Sequence, residues 1–166
     1  MKTLVLLLLC LAGLGSVSAG QTVSQSDSLT DRLEGVWVGE GKAFGMPATL
    51  QLKFERVLGK KFLRLTLKNE IKTPNGQVQV FEGHAYYLPL AAGKYDARWF
   101  DSRGVSFPIK GQEEGDALIA LWGAPDQEQG KSTYRLIKPG ELEVVDLVLQ
   151  KDGTYREFGR FVLRRG

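Results

Sequence analysis

The chain has one cysteine and one histidine in 166 residues, and these two scarcities exclude a good deal. Cys10 stands within an N-terminal apolar run, so removal of that run leaves no thiol and no disulfide can form. With His84 as the sole imidazole, the His-Cys and Cys-Cys spacings of transition-metal sites are missing, and no metal site is expected. No Gly-x-Ser-x-Gly elbow exists, and a Ser-His-Asp set would have to assemble around His84 alone. Gly130-Lys131-Ser132-Thr133 has the tail of a phosphate-binding loop, but the first glycine of that pattern falls on Pro125, so a hairpin is the better reading. A run of basic residues is also lacking. Lys and Arg alternate with Asp and Glu along the chain, so the pI near 9.0 describes a solvated surface, and no nucleic-acid partner is expected.

Long hydrophobic runs are scarce too. The one candidate, Leu4 to Gly15, is shorter than the roughly 18 to 20 residues a bilayer-spanning helix needs. Met1-Lys2-Thr3 precedes it and Ser16-Val17-Ser18-Ala19 follows, so residues 1–19 read as a signal peptide cut after Ala19. Leu7-Leu8-Leu9 ahead of Cys10 does not suit a lipoprotein signal, and no membrane insertion is expected after cleavage. Taking nineteen residues from 166 leaves 147, one domain of ordinary size. Lys2 is the only charge lost, so 21 of the 22 cations remain against 19 acids, a formal +2. Export without disulfides points to a periplasmic or secreted protein of bacterial type. Residues 20–27 are polar and read as a linker, ahead of one domain over 28–166.

What is present is alternation. Asp27 to Glu34 has one or two helical turns with Asp27 or Ser28 as N-cap. From Gly35 onward, apolar and polar residues alternate: Leu50, Leu52 and Phe54 against Gln51, Lys53 and Glu55, then Leu63, Leu65 and Leu67 against Arg64, Thr66 and Lys68. Hairpin signals such as Pro74-Asn75-Gly76, Pro139-Gly140 and Lys151-Asp152-Gly153 divide this pattern into about ten strands. These fall near 36–44, 48–57, 60–72, 77–89, 94–101, 105–111, 117–123, 131–138, 141–150 and 154–165. Sequential hairpins without an amphipathic helix are antiparallel, and closing the meander removes its edges. The fold class is therefore all-β: an up-and-down antiparallel barrel of about ten strands, wide enough to enclose a cavity.

Gly35-x-Trp37-x-Gly39-x-Gly41, Leu52-Lys53-Phe54-Glu55, Gly59-Lys60-Lys61-Phe62-Leu63 and Phe81-Glu82-Gly83-His84-Ala85-Tyr86-Tyr87-Leu88 together resemble nitrobindin-type barrels and their exported relatives within the lipocalin-like calycin group. The likeness covers most of the mature chain. It implies a ten-stranded barrel closed at one end by a short helix, with a hydrophobic small molecule inside. It also implies a structural role for Trp37, packed across the closed end beneath a cation of the last strand, for which Arg164 is expected. Nitrobindins hold haem through a His on the last strand. The position that best matches it here is Phe158, so haem is a secondary reading behind an unspecified apolar ligand, with Met46 and the tyrosines as the other donors.

Strand phase then nominates the lining. Leu50, Leu52, Phe54, Leu63, Leu65, Leu67, Val78, Val80, Tyr95, Ala97, Trp99, Val105, Phe107 and Ile109 occupy the apolar sides of their strands. Phe54, Leu65, Trp99 and Phe107 are taken from these as ligand contacts. The same phase puts Glu82, His84 and Tyr86 inside with Val78 and Val80, unless Gly83 marks a bulge. Asp146 and Glu157 join them as polar groups for the polar end of a ligand. For His84 the simpler role is a hydrogen-bonded strand residue near the rim. An exported carrier or sensor of a small apolar molecule is the expected function; a haem-handling barrel, or an enzyme using a carboxylate pair such as Glu82 and Glu157 on a lipophilic substrate, are the alternatives.

Overall fold

The computed structural model describes residues 28–166; the expected signal peptide and linker, and Asp27 as an N-cap, lie outside the described residues. The chain forms α1 (Leu29–Leu33) and then ten strands. These are β1 (Gly35–Ala43), β2 (Met46–Val57), β3 (Phe62–Lys72), β4 (Val78–Pro89), β5 (Lys94–Asp101), β6 (Ser106–Glu114), β7 (Ala117–Trp122), β8 (Gly130–Lys138), β9 (Glu141–Leu149) and β10 (Tyr155–Arg165). Each pairs antiparallel with its sequence neighbour, and β1 pairs with β10 from Trp37–Arg165 to Ala43–Gly159, so the sheet is a closed barrel. The all-β, ten-stranded expectation holds. Phe44 and Gly45, both at positive φ (52° and 77°), make the two-residue β1–β2 loop, a conformation that matches the twist of tight hairpins.

Glycine positions the closing seam. A Cβ on Gly39 would lie 2.1 Å from the Val162 carbonyl oxygen, and one on Gly41 2.1 Å from that of Arg160. Leu163 and Phe161 fill the space over these glycines, so the first strand can meet the last only where side chains are missing.

The helix end is the packed end. Ser28 caps α1 in a capping box with Asp31, and Leu29 and Leu33 point down into the barrel. Below them Trp37, Leu52, Phe54, Leu63, Leu65, Leu118, Leu142 and Leu163 form a continuous apolar core. Trp37 is 0 % exposed and its indole N–H donates to the Leu33 carbonyl at 2.7 Å, fixing the helix over the strand that follows it.

The cation over this ring is Arg165, not Arg164. The Arg165 guanidinium carbon lies 4.5 Å from the Trp37 ring centroid, and its nitrogens donate to the backbone carbonyls of Glu34 and Arg32. Arg164 takes the outward phase of β10, with its side chain 82 % exposed and 3.6 Å from Glu141. Nearness in register is not enough when neighbouring residues face opposite ways. Arg165→Ala is expected to cost about 1 to 2 kcal/mol, and Arg164→Ala about 0 to 0.5, in urea unfolding. Equal losses would contradict the assignment.

Candidate functional site

The barrel is packed in one half and hollow in the other. The hollow is a cavity of about 540 Å³, within the range of about 300 to 1,000 Å³ typical of small-molecule sites. It opens at the end opposite α1, where the β1–β2, β3–β4, β5–β6, β7–β8 and β9–β10 connections lie. Tyr87 and Tyr134 divide it from the core: Tyr134 packs edge-on against Phe54 at 5.6 Å, and Tyr87 edge-on against Tyr95 at 6.2 Å.

Two tryptophans make its side walls, each laid over a glycine. A Cβ on Gly83 would lie 2.1 Å from Trp99 Cζ2, and a Cβ on Gly130 2.1 Å from Trp122 Cζ2. Gly83 therefore marks the place where an indole lies flat across the next strand, not a bulge: the β3–β4 register runs through it without a break, and the β4–β5 register reaches it at the Gly83–Asp101 pair. Trp122 also packs on Phe107 (5.8 Å) and edge-on to Phe158 (6.4 Å), while Phe158 stacks on Phe44 at 5.2 Å at the mouth.

One carboxyl group sits on this aromatic wall. Asp146 is surrounded by protein, and the surface it keeps belongs to the cavity. The Ser132 hydroxyl donates to its Oδ1 at 2.6 Å, and the Trp122 indole N–H donates to Ser132 Oγ at 3.3 Å. Gly159 leaves the space Asp146 needs, since a Cβ there would come within 3.0 Å of Oδ2. Burial raises the Asp146 pKa from 3.8 to about 6, against the lowering effect of the Ser132 hydrogen bond. Burial also raises Tyr87 and Tyr134, so both are neutral phenols at neutral pH. Asn69, which lines the cavity from β3, has a buried Oδ1 with no hydrogen-bond donor.

Charge at the mouth is locked in pairs. Arg103 bonds Asp101 at 2.9 Å and Glu128 at 3.2 Å, and its guanidinium lies 5.5 Å from the Phe81 ring centroid. The Asp101 side chain is fully covered; burial alone would raise its pKa, but hydrogen bonds from Arg103 and Trp99 outweigh this and lower it.

Of the residues expected to contact a ligand, Trp99, Phe107 and Asp146 line the cavity. Phe54 and Leu65 point inward but belong to the packed core below the tyrosines. Glu82, His84 and Tyr86 face outward, because the inner residues of β4 are Phe81, Gly83, Ala85 and Tyr87. Val78 and Val80, which set the expected phase, are 54 % and 51 % exposed where β4 begins at the open rim. His84 is on the outer surface beside Thr66, 3.3 Å from its hydroxyl. Glu157 faces solvent and pairs with Arg160 at 2.7 Å, because an irregularity between Glu157 and Gly159 reverses the phase and brings Phe158 to the cavity. Glu82 and Glu157 therefore form no carboxylate pair in the interior.

The lining does not fit haem. It offers no His, Cys or Met, its two phenols are held neutral, and Phe158 occupies the wall where the resemblance places a ligand.

No family model matches the chain, and no curated protein does. Among solved structures it is similar to Rv2717c from M. tuberculosis, at 18 % identity and a TM-score of 0.59 over 81 % of this chain and 93 % of that one. It is also similar to the S-type phycobiliprotein lyase CPES from Guillardia theta, at 8 % identity and a TM-score of 0.57 over 82 % and 90 %. Its closed ten-stranded barrel shares their overall fold. At these identities the likeness is one of fold.

Proposed function

We propose that the protein binds a small hydrophobic molecule inside the barrel, admitted at the end opposite α1, as an exported carrier or sensor. The observation that carries this reading is the cavity of about 540 Å³, walled by two tryptophans laid over glycines. A barrel that needed only a core would fill this half with the branched side chains it uses beneath the tyrosines. The N-terminal leader pattern supports export, and a mature protein beginning at Gly20 in periplasmic or culture fractions would test that part.

Nile red, a neutral apolar fluorophore, tests the cavity. Its emission is expected to rise and move to shorter wavelength with the wild-type protein. Ala120→Phe is expected to weaken binding at least about tenfold, because the added ring fills the space beside Ser132. Equal binding by a folded Ala120→Phe variant would place the dye elsewhere and contradict the reading.

A further inference from the structure

Around the cavity, the indole and guanidinium donors are engaged, while the Asp146 carboxylate and Asn69 Oδ1 keep free accepting capacity. The Trp122 N–H serves Ser132, the Ser132 hydroxyl serves Asp146, the Trp99 N–H serves Asp101 at 2.8 Å, and Arg103 is divided between Asp101 and Glu128. A carboxylate accepts at about four positions. Ser132 is the one side-chain donor to Asp146 among the described residues, and Asn69 Oδ1 has none. Three carboxylates, Asp146, Asp101 and Glu128, stand in or beside the cavity against the single guanidinium of Arg103. The local charge is therefore negative, which disfavours an anionic ligand and favours a cationic one that would neutralise the surplus.

From this arrangement we infer that the cavity takes a lipophilic amine, its ammonium group on the Asp146 carboxylate and its apolar body between the rings of Trp122, Phe107 and Tyr87. The inference rests on the interior-binding reading above and narrows it to a chemical class. Aromatic faces attract an ammonium ion as well as an apolar body, so the same walls serve both parts of such a ligand. A buried carboxylate that a neutral isostere would replace at a gain in stability is the kind of group retained for binding rather than for folding. The two hydroxyls facing it, Tyr87 and Tyr134, remain neutral and each can accept as well as donate.

Three ligands sharing one body separate the possibilities: naphthylethylamine, naphthylethanol and naphthylacetate, titrated calorimetrically into the full mature chain and into Asp146→Asn. Near neutral pH the wild type is expected to bind the amine at least about tenfold more tightly than the alcohol, with the acid weakest, and Asp146→Asn to bring amine and alcohol within about threefold. Below pH 6 the amine affinity of the wild type should fall by up to about tenfold per pH unit while that of the alcohol stays level, since Tyr87, Tyr134, Arg103 and the already ionised Asp101 do not titrate there. Equal affinity for amine and alcohol, or an amine preference that survives in Asp146→Asn, overturns the amine assignment and leaves the apolar cavity standing. Binding of none of the three, together with no Nile red signal, overturns both.

Discussion

Trp37→Ala is expected to lower the unfolding free energy by about 4 kcal/mol, the largest loss for any single side chain in the barrel. The indole is fully buried, holds α1 through the Leu33 carbonyl, and is covered by the guanidinium of Arg165. Truncation removes the transfer energy of the ring, leaves a void beneath the helix and strands a buried acceptor. Neighbouring strands are hydrogen-bonded on both sides, so the void cannot collapse without disturbing the seam between β1 and β10. For a domain of this size the loss corresponds to a fall in Tm of roughly 10 °C, measurable by calorimetry. Trp37→Phe keeps most of the bulk and loses the donor, so about 1 to 2 kcal/mol is expected from it. A loss below about 1.5 kcal/mol for the alanine variant would mean that the helix end is not the packed end.

Asp146→Asn is expected to stabilise the protein near neutral pH, an unusual result for a substitution in a barrel interior. The carboxyl group binds its proton more tightly in the folded state, about 6 against 3.8. Ionised Asp146 therefore costs the fold, and this cost is present above about pH 6 and disappears as pH falls through 6 toward 3.8. At about 1.4 kcal/mol for each tenfold change in proton affinity, the displacement corresponds to about 3 kcal/mol at pH 7. Asparagine has nearly the same shape and can accept the Ser132 hydrogen bond without the charge. Urea unfolding of both proteins should give a difference of about 2 to 3 kcal/mol at neutral pH that shrinks toward zero near pH 4. A variant less stable than the wild type at neutral pH would show that Asp146 is better solvated than its surroundings suggest.

The fold was legible because alternation and turn residues are independent signals that agree along most of the chain. Leu50-Gln51-Leu52-Lys53-Phe54 and its partner Leu63-Arg64-Leu65-Thr66-Leu67 fix the inner face of β2 and β3 without ambiguity, and the observed pairing joins Leu52 to Leu67 and Phe54 to Leu65. The site was less legible, for three physical reasons. On β4 the apolar residues Val78 and Val80 lie at the rim, where both faces meet solvent, so they carry no phase information. The true inner set of that strand includes Gly83 and Ala85, small because Trp99 and its neighbours occupy the space, and small residues do not register as apolar alternation.

On β7, Ala117-Leu118-Ile119-Ala120-Leu121-Trp122 is apolar on both faces, which hid Trp122 and with it the glycine–tryptophan pairing to Gly130. On β10 one irregular residue moved Phe158 inward and Glu157 outward, which no pattern of side chains announces. A usable signal was present nonetheless. Two interior glycines, Gly83 and Gly130, stand within hairpin reach of two tryptophans, and inward glycine beside an aromatic residue on the next strand marks a flattened wall.

The three indole N–H resonances give the most direct measurement of the central claim, that the half of the barrel away from α1 is a binding chamber. Trp99 and Trp122 line the chamber, whereas Trp37 lies in the packed half. In a proton–nitrogen correlation spectrum assigned with single Trp→Phe variants, naphthylethanol should move the Trp99 and Trp122 signals along saturable curves and leave that of Trp37 in place. Saturable movement of Trp37 with the other two unmoved, or no movement of any of them, would contradict the account.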